Sequence, residues 1–310
     1  MAISVSGTDQ FNRRRLLLRN VDWPVLIGIS LMHVGAVFAP FYFSWSALIV
    51  CGFFLWLTGP IGISLTFHRL LTHRSFKTPK WFEYFLTCCG CLACQGGPVQ
   101  WIGVHRIHHK HSDDHGDPHS PKHGFTWSHV LWCMHKHQGL PNGWAPADAA
   151  RDLYRDKGLR LINKYYLVPQ LVVIVLCFLG GTWAAHLGLE TSGLSWVLWG
   201  VCVRTAFVFH STWFVNSASH TWGYQNYDTE EGSTNCWWVA LLSMGEWHNN
   251  HHGEQRSALY GGRRWYEFDP TWWTLHLLKR VGLASDFILP SKLDQTIRAQ
   301  AAAGAAQADR

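Results

Sequence analysis

The chain has 310 residues, of which 48% are hydrophobic and 15% charged, with a formal net charge of +6. About a quarter charged is usual for a soluble domain, so a highly solvated chain is excluded. The nineteen tryptophans suit a membrane protein with aromatic belts at its interfaces.

Taken in order, residues 1–19 and 298–310 read as tails of a single domain, the second an Ala/Gln-rich run. Arg13, Arg14, Arg15 and Arg19 precede a long apolar stretch that lacks a small-residue cleavage site, so no cleavable signal peptide is expected. Four apolar stretches, near 24–44, 46–67, 166–187 and 194–215, reach the ~20 residues needed to cross a bilayer. They pair as hairpins around Pro40–Trp45 and Gly188–Gly193. Neither turn carries Lys or Arg. Apart from Arg204, the basic residues lie in the N-terminal arm, in 69–164 and after Asn216. The positive-inside rule makes those regions cytoplasmic.

Residues 82–104 are also apolar. A fifth span there would move the next segment to the other face, and Gly96-Gly97-Pro98 disfavours a continuous helix. A re-entrant or interfacial segment is expected instead. Arg204, inside the fourth stretch, is expected to face the bundle interior, with no partner evident from sequence. Nine cysteines include the C-x-x-C of Cys91 and Cys94, crowded by Cys88 and Cys89. With no second pair to complete a zinc site, packing is the expected role.

Histidines carry the chemistry. Three tight clusters stand out among twenty: His68 with His73, then His105, His108 and His109, then His248, His251 and His252. Imidazole is a common transition-metal ligand, and eight are too many for one four-coordinate structural zinc. Two adjacent metals are the natural count. Positions i, i+3 and i+4 share a helical face, so each H-x-x-H-H cluster is expected to aim three imidazoles at one point. His68 and His73, at i and i+5, fall about 140° apart on an α-helix. That spacing predicts a helix end, or one ligand for each of two metals. All three clusters fall on the side assigned to the cytoplasm.

The runs GISLTFHRLLTHRSFKTP, ACQGGPVQWIGVHRIHHKHSD, DPHSPKHGFTWSHVLW and GEWHNNHH resemble the membrane fatty-acyl desaturases. Their context is similar to the Δ9 branch, which includes stearoyl-CoA desaturases and bacterial acyl-lipid Δ9 desaturases. The resemblance covers about residues 20–285. It implies an all-α integral membrane protein, with four transmembrane helices and a cytoplasmic helical cap over a di-iron site. It implies two Fe ions that activate O₂, and a cis double bond placed in a saturated acyl chain. The resemblance adds His220 as a ninth ligand and Asn216 as a ligand through water, with their i, i+4 spacing on one helical face. It also implies a bent acyl tunnel lined by Gln95, Trp101 and Thr212 and ending near Trp56 and Pro60. Glu246, two residues before His248, reads equally as a ligand-orienting group or a surface acid. Asp117 is placed near the metals by its Asp-Pro-His motif.

His111, His115, His119, His123, His129, His135 and His137 lie in a hydrophilic segment, where surface or supporting roles are expected. The electron donor is expected to be a separate ferredoxin or cytochrome b5-type protein. Arg256, Arg263 and Arg264 form a basic face suited to an acidic carrier. An acyl-lipid and an acyl-CoA substrate both remain open, the run ACQGGP favouring the first. Membrane lipids are further partners, nucleic acid is not, and a bacterial inner membrane is the expected location. Two other readings stand beside this one. A related di-iron hydroxylase would make an alcohol rather than an alkene. A non-enzymatic membrane metal binder would want ligands near mid-membrane, whereas these clusters lie outside the apolar stretches.

Overall fold

The computed structural model describes residues 18–114, 116–136 and 146–291. His115 and His137 lie outside the described residues. The described chain is helical, and its only extended pairings are three isolated bridges, Val21–His135, Lys77–Ser285 and Tyr224–Asn235. Four helices are long and apolar enough to cross a membrane: Trp23–Tyr42, Trp45–Thr72, Val168–His186 and Gly193–His220, here spans one to four. They match the four stretches expected from sequence.

Local chemistry sets their starts. Asp22 accepts from the Val25 amide with Pro24 in the first turn, Ser44 accepts from Ala47, and Ser192 accepts from Ser195. Each side chain satisfies one of the amides orphaned at a helix start.

Span two changes geometry partway. Beyond Trp56 it winds as a π-helix, Leu57–Thr72. Pro60, inside this stretch, has no amide hydrogen to donate. The Thr66 and Thr72 hydroxyls reach back five residues, to the Ile61 and Phe67 carbonyls at 2.6 and 2.7 Å. Both reaches fit the wider turn, in which bonds join i to i+5.

The apolar segment 82–104 forms two helices, Lys80–Cys91 and Pro98–His111, of 12 and 14 residues. Each is too short to cross a bilayer. The first lies tightly on span two, where a Cβ on Gly62 would come within 2.6 Å of the Cys89 carbonyl oxygen. Leu65, Phe67, Leu71, Leu86 and Ile102 are fully enclosed at this junction. Arg204 reaches the Leu92 carbonyl between the two helices, and also Gln170 Oε1 at 2.9 Å and the Gly200 carbonyl at 3.1 Å. The partners that sequence left open are therefore neutral oxygens, and the arginine ties the inner turn to spans three and four.

The remaining chain caps one end of the bundle. Arg69, fully buried beside His68, grips Asp269 through two bonds of 2.9 Å and the Ala258 carbonyl at 2.7 Å. That bidentate pair fixes the cap to span two. All nine cysteines are free, six of them buried.

Candidate metal centre and cavity

The nine histidines named from sequence and resemblance converge beneath the cap and divide into two groups. His68, His73, His105, His109 and His251 form one, and His108, His220, His248 and His252 the other. Within each group one nitrogen from every ring lies within 4.8 Å of the rest. Nε2 atoms face each other at 3.1 Å (His68–His251 and His105–His109), 2.9 Å (His109–His251) and 2.8 Å (His220–His248).

This corrects two expectations. Each H-x-x-H-H cluster splits, rather than aiming three rings at one point. Successive residues turn by about 100°, so the i, i+4 pair leans one way and the remaining histidine the other. His105 and His109 join the five-membered group while His108 joins the four. In the third cluster the sharing is reversed, His248 and His252 going to the four and His251 to the five. His68 and His73 do not serve separate groups. The helix does end there, but its last π-turn, closed by the His73 amide on the His68 carbonyl at 3.1 Å, brings both into the five.

Four carboxylates stand behind the rings. Glu246 lies 2.8 Å from His68 Nδ1, Asp117 3.0 Å from His108 Nδ1, Asp113 3.0 Å from His220 Nδ1 and Glu231 3.2 Å from His252 Nδ1. In every case the acid engages Nδ1, which holds the proton there and leaves the Nε2 lone pair free. Glu246 is buried and also accepts from Ser64, so it is not a surface acid. Asp113 and Glu231 escaped the sequence reading. Asp113 sits four residues past His109, a weak signal, and Glu231 reaches His252 only through the fold.

Electrostatics keep six of the nine rings neutral. Burial, then neighbouring histidines, hold His73, His105, His109, His248 and His251 well below the usual imidazole range. Burial takes His252 down to about 4 despite Glu231. Burial would raise Asp117, but the charge of His108 outweighs it and leaves the carboxyl ionised. Neutral imidazoles are the form that binds metal. His73 Nε2, His108 Nε2, His109 Nδ1, His251 Nδ1 and His252 Nε2 are buried without a hydrogen-bond partner. Orphaned nitrogens in an all-imidazole shell fit bound transition metals.

The cap holds this shell through the asparagines of the third cluster. Asn250 accepts from Asn226 and Asn235 at 2.8 and 2.9 Å and donates to Glu267 at 3.0 Å and the Tyr260 carbonyl at 2.8 Å.

Two cavities meet at the five-membered group. The smaller, about 60 Å³, runs along spans two and four past Leu55, Gly59, Pro60, Phe207 and Val208. The larger, about 840 Å³, lies against span one. Trp101, His105, Thr212 and Asn216 border both. At this junction Trp101 Nε1 donates to Gln95 Oε1, and Gln95 Nε2 donates to Thr212 Oγ1, each at 3.0 Å. Three expected tunnel residues are thus one hydrogen-bonded unit, and Pro60 lines the inner cavity.

Trp56 does not belong there. It is 48% exposed, packs beside Phe53 and lines neither cavity. Counting back from His68 with α-helical turns misplaces it, because the π-helical stretch rotates less per residue. Leu55 and Gly59 take its place. Asn216 borders both cavities, but span four tightens into a 3-10 turn over Ala218–His220, so a shared α-helical face for Asn216 and His220 does not apply.

Of the remaining histidines, His119 is buried against His108. His129 Nε2 meets His210 Nδ1 at 3.0 Å, and His210 Nε2 meets His33 Nε2 at 3.1 Å, a chain of imidazoles joining spans one and four to the segment Trp127–Leu131. The proposed basic face is reduced. Arg263 is buried on the Tyr260 and Gly261 carbonyls, and Arg264 lies 3.7 Å over the Tyr224 ring. Arg256 remains exposed.

The family model described as fatty acid desaturase matches residues 14–284. The chain is 46% identical to an sn-1 stearoyl-lipid 9-desaturase of Anabaena variabilis, over 88% of this chain and 96% of that protein. It is 41% identical to an sn-2 palmitoyl-lipid 9-desaturase of Nostoc sp. (strain 36), over 86% and 90%. An icosanoyl-CoA 5-desaturase of Limnanthes douglasii is 38% identical, over 94% and 79%.

Proposed function

Because the chain belongs to the fatty acid desaturase family, and is therefore a membrane oxidoreductase, we propose that its two histidine groups hold two iron ions and that it places a cis Δ9 double bond in the saturated acyl chain of a membrane lipid. The observation that carries this reading is the meeting of both cavities at Trp101 and His105, beside the five-membered group. The acyl-lipid relatives at 41–46% identity favour the lipid substrate and the Δ9 position.

When bound, the irons supply O₂ activation and removal of two hydrogens from an unactivated methylene pair. The chain's own residues do the rest. Neutral imidazoles bind the metals, and the four carboxylates orient four of the rings through Nδ1. Trp101, Gln95 and Thr212 form a rigid corner between the cavities, so a chain threaded through both bends there, as a cis geometry requires. The apolar walls keep water from the reacting carbons. A separate one-electron carrier, a ferredoxin or cytochrome b5-type protein, returns two electrons per turnover. We read 1–310 as a single catalytic unit, with both termini and the metal centre on the cytoplasmic face of the membrane. Reporter fusions placing Gly116 and Arg256 on opposite sides would overturn that topology.

Expression in a host without desaturases, followed by analysis of lipids and acyl-CoA, tests the reaction. A Δ9 alkene in lipid-borne chains supports it, and an alcohol product would make the protein a hydroxylase. Active, fully loaded protein holding near one iron per chain would refute the two-iron centre.

A further inference from the structure

The larger cavity has a mouth, and its position carries an inference about how substrate arrives. Span one gives the cavity a continuous face of Pro24, Val25, Gly28, Ile29 and Met32. Three of these face outward as well: Val25 is 37% exposed, and Pro24 and Gly28 are exposed. Across the opening, Leu167, just before span three, lines the same cavity and is 48% exposed. A residue that both lines a cavity and is exposed marks its rim. Val25 and Gly28 lie inside the helix Trp23–Tyr42, so this rim faces the bilayer.

Gly28 leaves this part of the wall without a side chain. A Cβ there would meet nothing within 4 Å. Gly35, on the same helix, differs, because a Cβ would come 2.4 Å from Cys202 Sγ. Gly35 is a packing glycine. Gly28 packs against nothing and leaves a gap.

The opening is framed at both ends. Toward the cap, the Asp22 amide bonds the Met134 carbonyl at 2.8 Å and the Lys136 amide bonds the Asn20 carbonyl at 2.7 Å. Deeper, His33 joins the imidazole chain through His210 to His129. Asp22 and His33 are eleven residues apart, about 16 Å of helix. Among the residues lining this cavity Asp22 is the only carboxylate and Lys136 the only Lys or Arg, with the imidazole of His135 beside them. One acid and one base cancel there, which suits a glycerolipid whose headgroup stays at the membrane surface. The multiply charged head of an acyl-CoA would want a cluster of bases.

We propose that the opening between the first turns of span one and the start of span three is a lateral portal, through which the acyl chain of a bilayer lipid slides past Gly28 to the corner at Trp101. The proposal rests on the desaturase reading and adds the route.

Full-length, iron-loaded protein in phospholipid nanodiscs tests it, with one lipid carrying a diazirine on a saturated chain. Photolysis is expected to label peptides spanning Val25–Met32 and Asn163–Gln170. Gly28→Phe should remove that label and lower desaturation of lipid-borne chains at least tenfold, with bound iron unchanged. Gly52→Phe is the control, since Gly52 is equally open but lines neither cavity; it should behave as wild type. Should Gly28→Phe fail to reach the membrane, Val25→Trp on the same rim replaces it. Wild-type desaturation of lipid-borne chains by the plugged variant, or labelling of these peptides by a diazirine acyl-CoA alone, would overturn the portal. Wild-type protein that is labelled as expected but yields no alkene would sink the reaction and leave the portal standing.

Discussion

Behind the four imidazoles of His108, His220, His248 and His252 stand three carboxylates, Asp117, Asp113 and Glu231. Behind the five of His68, His73, His105, His109 and His251 stands one, Glu246. The cavities show the reverse bias. His68 and His105 line them, and no member of the four-membered group does. Anionic support is concentrated on the cap side and thinned out where substrate would lie. A carboxylate behind a ligand raises its basicity and fixes its ring. On the two-metal reading, the difference teaches that the two groups would serve different tasks, one for retention and one for access.

The largest expected effect tests whether the groups are separate at all. His251→Ala removes the one ring of the third cluster that serves the five. Activity should vanish and bound iron should fall by about half, with the protein still in the membrane; complete loss of iron would show one cooperative site instead. Next come the acids. Asp113→Asn or Glu231→Gln should weaken iron retention roughly 10–100-fold, read by chelator titration, and the iron lost should be that of the four-membered group. Glu246→Gln should loosen the other. Equal loss from both groups in every variant would erase the distinction.

Acid should act on both groups of the metal-free protein. The pKa values of His73, His105, His109, His248, His251 and His252 are lowered in the fold, so below about 6.5 the unfolded chain takes up protons that these folded-state rings refuse. Stability therefore rises with pH through that range and falls on acidification. The lowered carboxyls of Asp113, Asp117, Glu231 and Glu246 add a loss in the same direction below about 4. The melting temperature at pH 5.5 should lie at least about 3 °C below that at pH 7.5, which corresponds to roughly 1 kcal/mol. A flat profile would mean the rings are not held neutral. The smallest effect lies farthest from the metals. Leu55→Ala should lengthen the inner cavity and shift preference toward longer chains by about fourfold per added methylene, from ~0.8 kcal/mol each. Trp56→Ala should leave the chain-length profile unchanged.

Much of this was legible in sequence because it is local. The four spans follow from apolar length, and the histidine clusters from spacing within six residues. The interleaving of the clusters was harder to read. It turns on the difference between i+3 and i+4 around a helix axis, and on a π-helical stretch that displaces both His73 and Trp56 from their α-helical positions. Asp113 and Glu231 were invisible for another reason: their contacts with His220 and His252 span 107 and 21 residues of chain, and nothing local announces them. Arg263 shows the opposite error, a charge assigned to the surface that the cap enclosed among its own carbonyls.

The interleaving also sets an order of assembly. By His109 the growing chain already holds His68, His73, His105 and His109, four of the five rings of one group, but only His108 of the other four. Synthesis runs from the N-terminus. On the two-metal reading, the first iron has most of its ligands before spans three and four exist, while the second must wait for His220, His248 and His252. The single short helix His248–Gly253 then completes both groups at once. Metal loading becomes a late checkpoint on the whole chain, and a protein truncated before residue 248 would be left with a primed first site and no second.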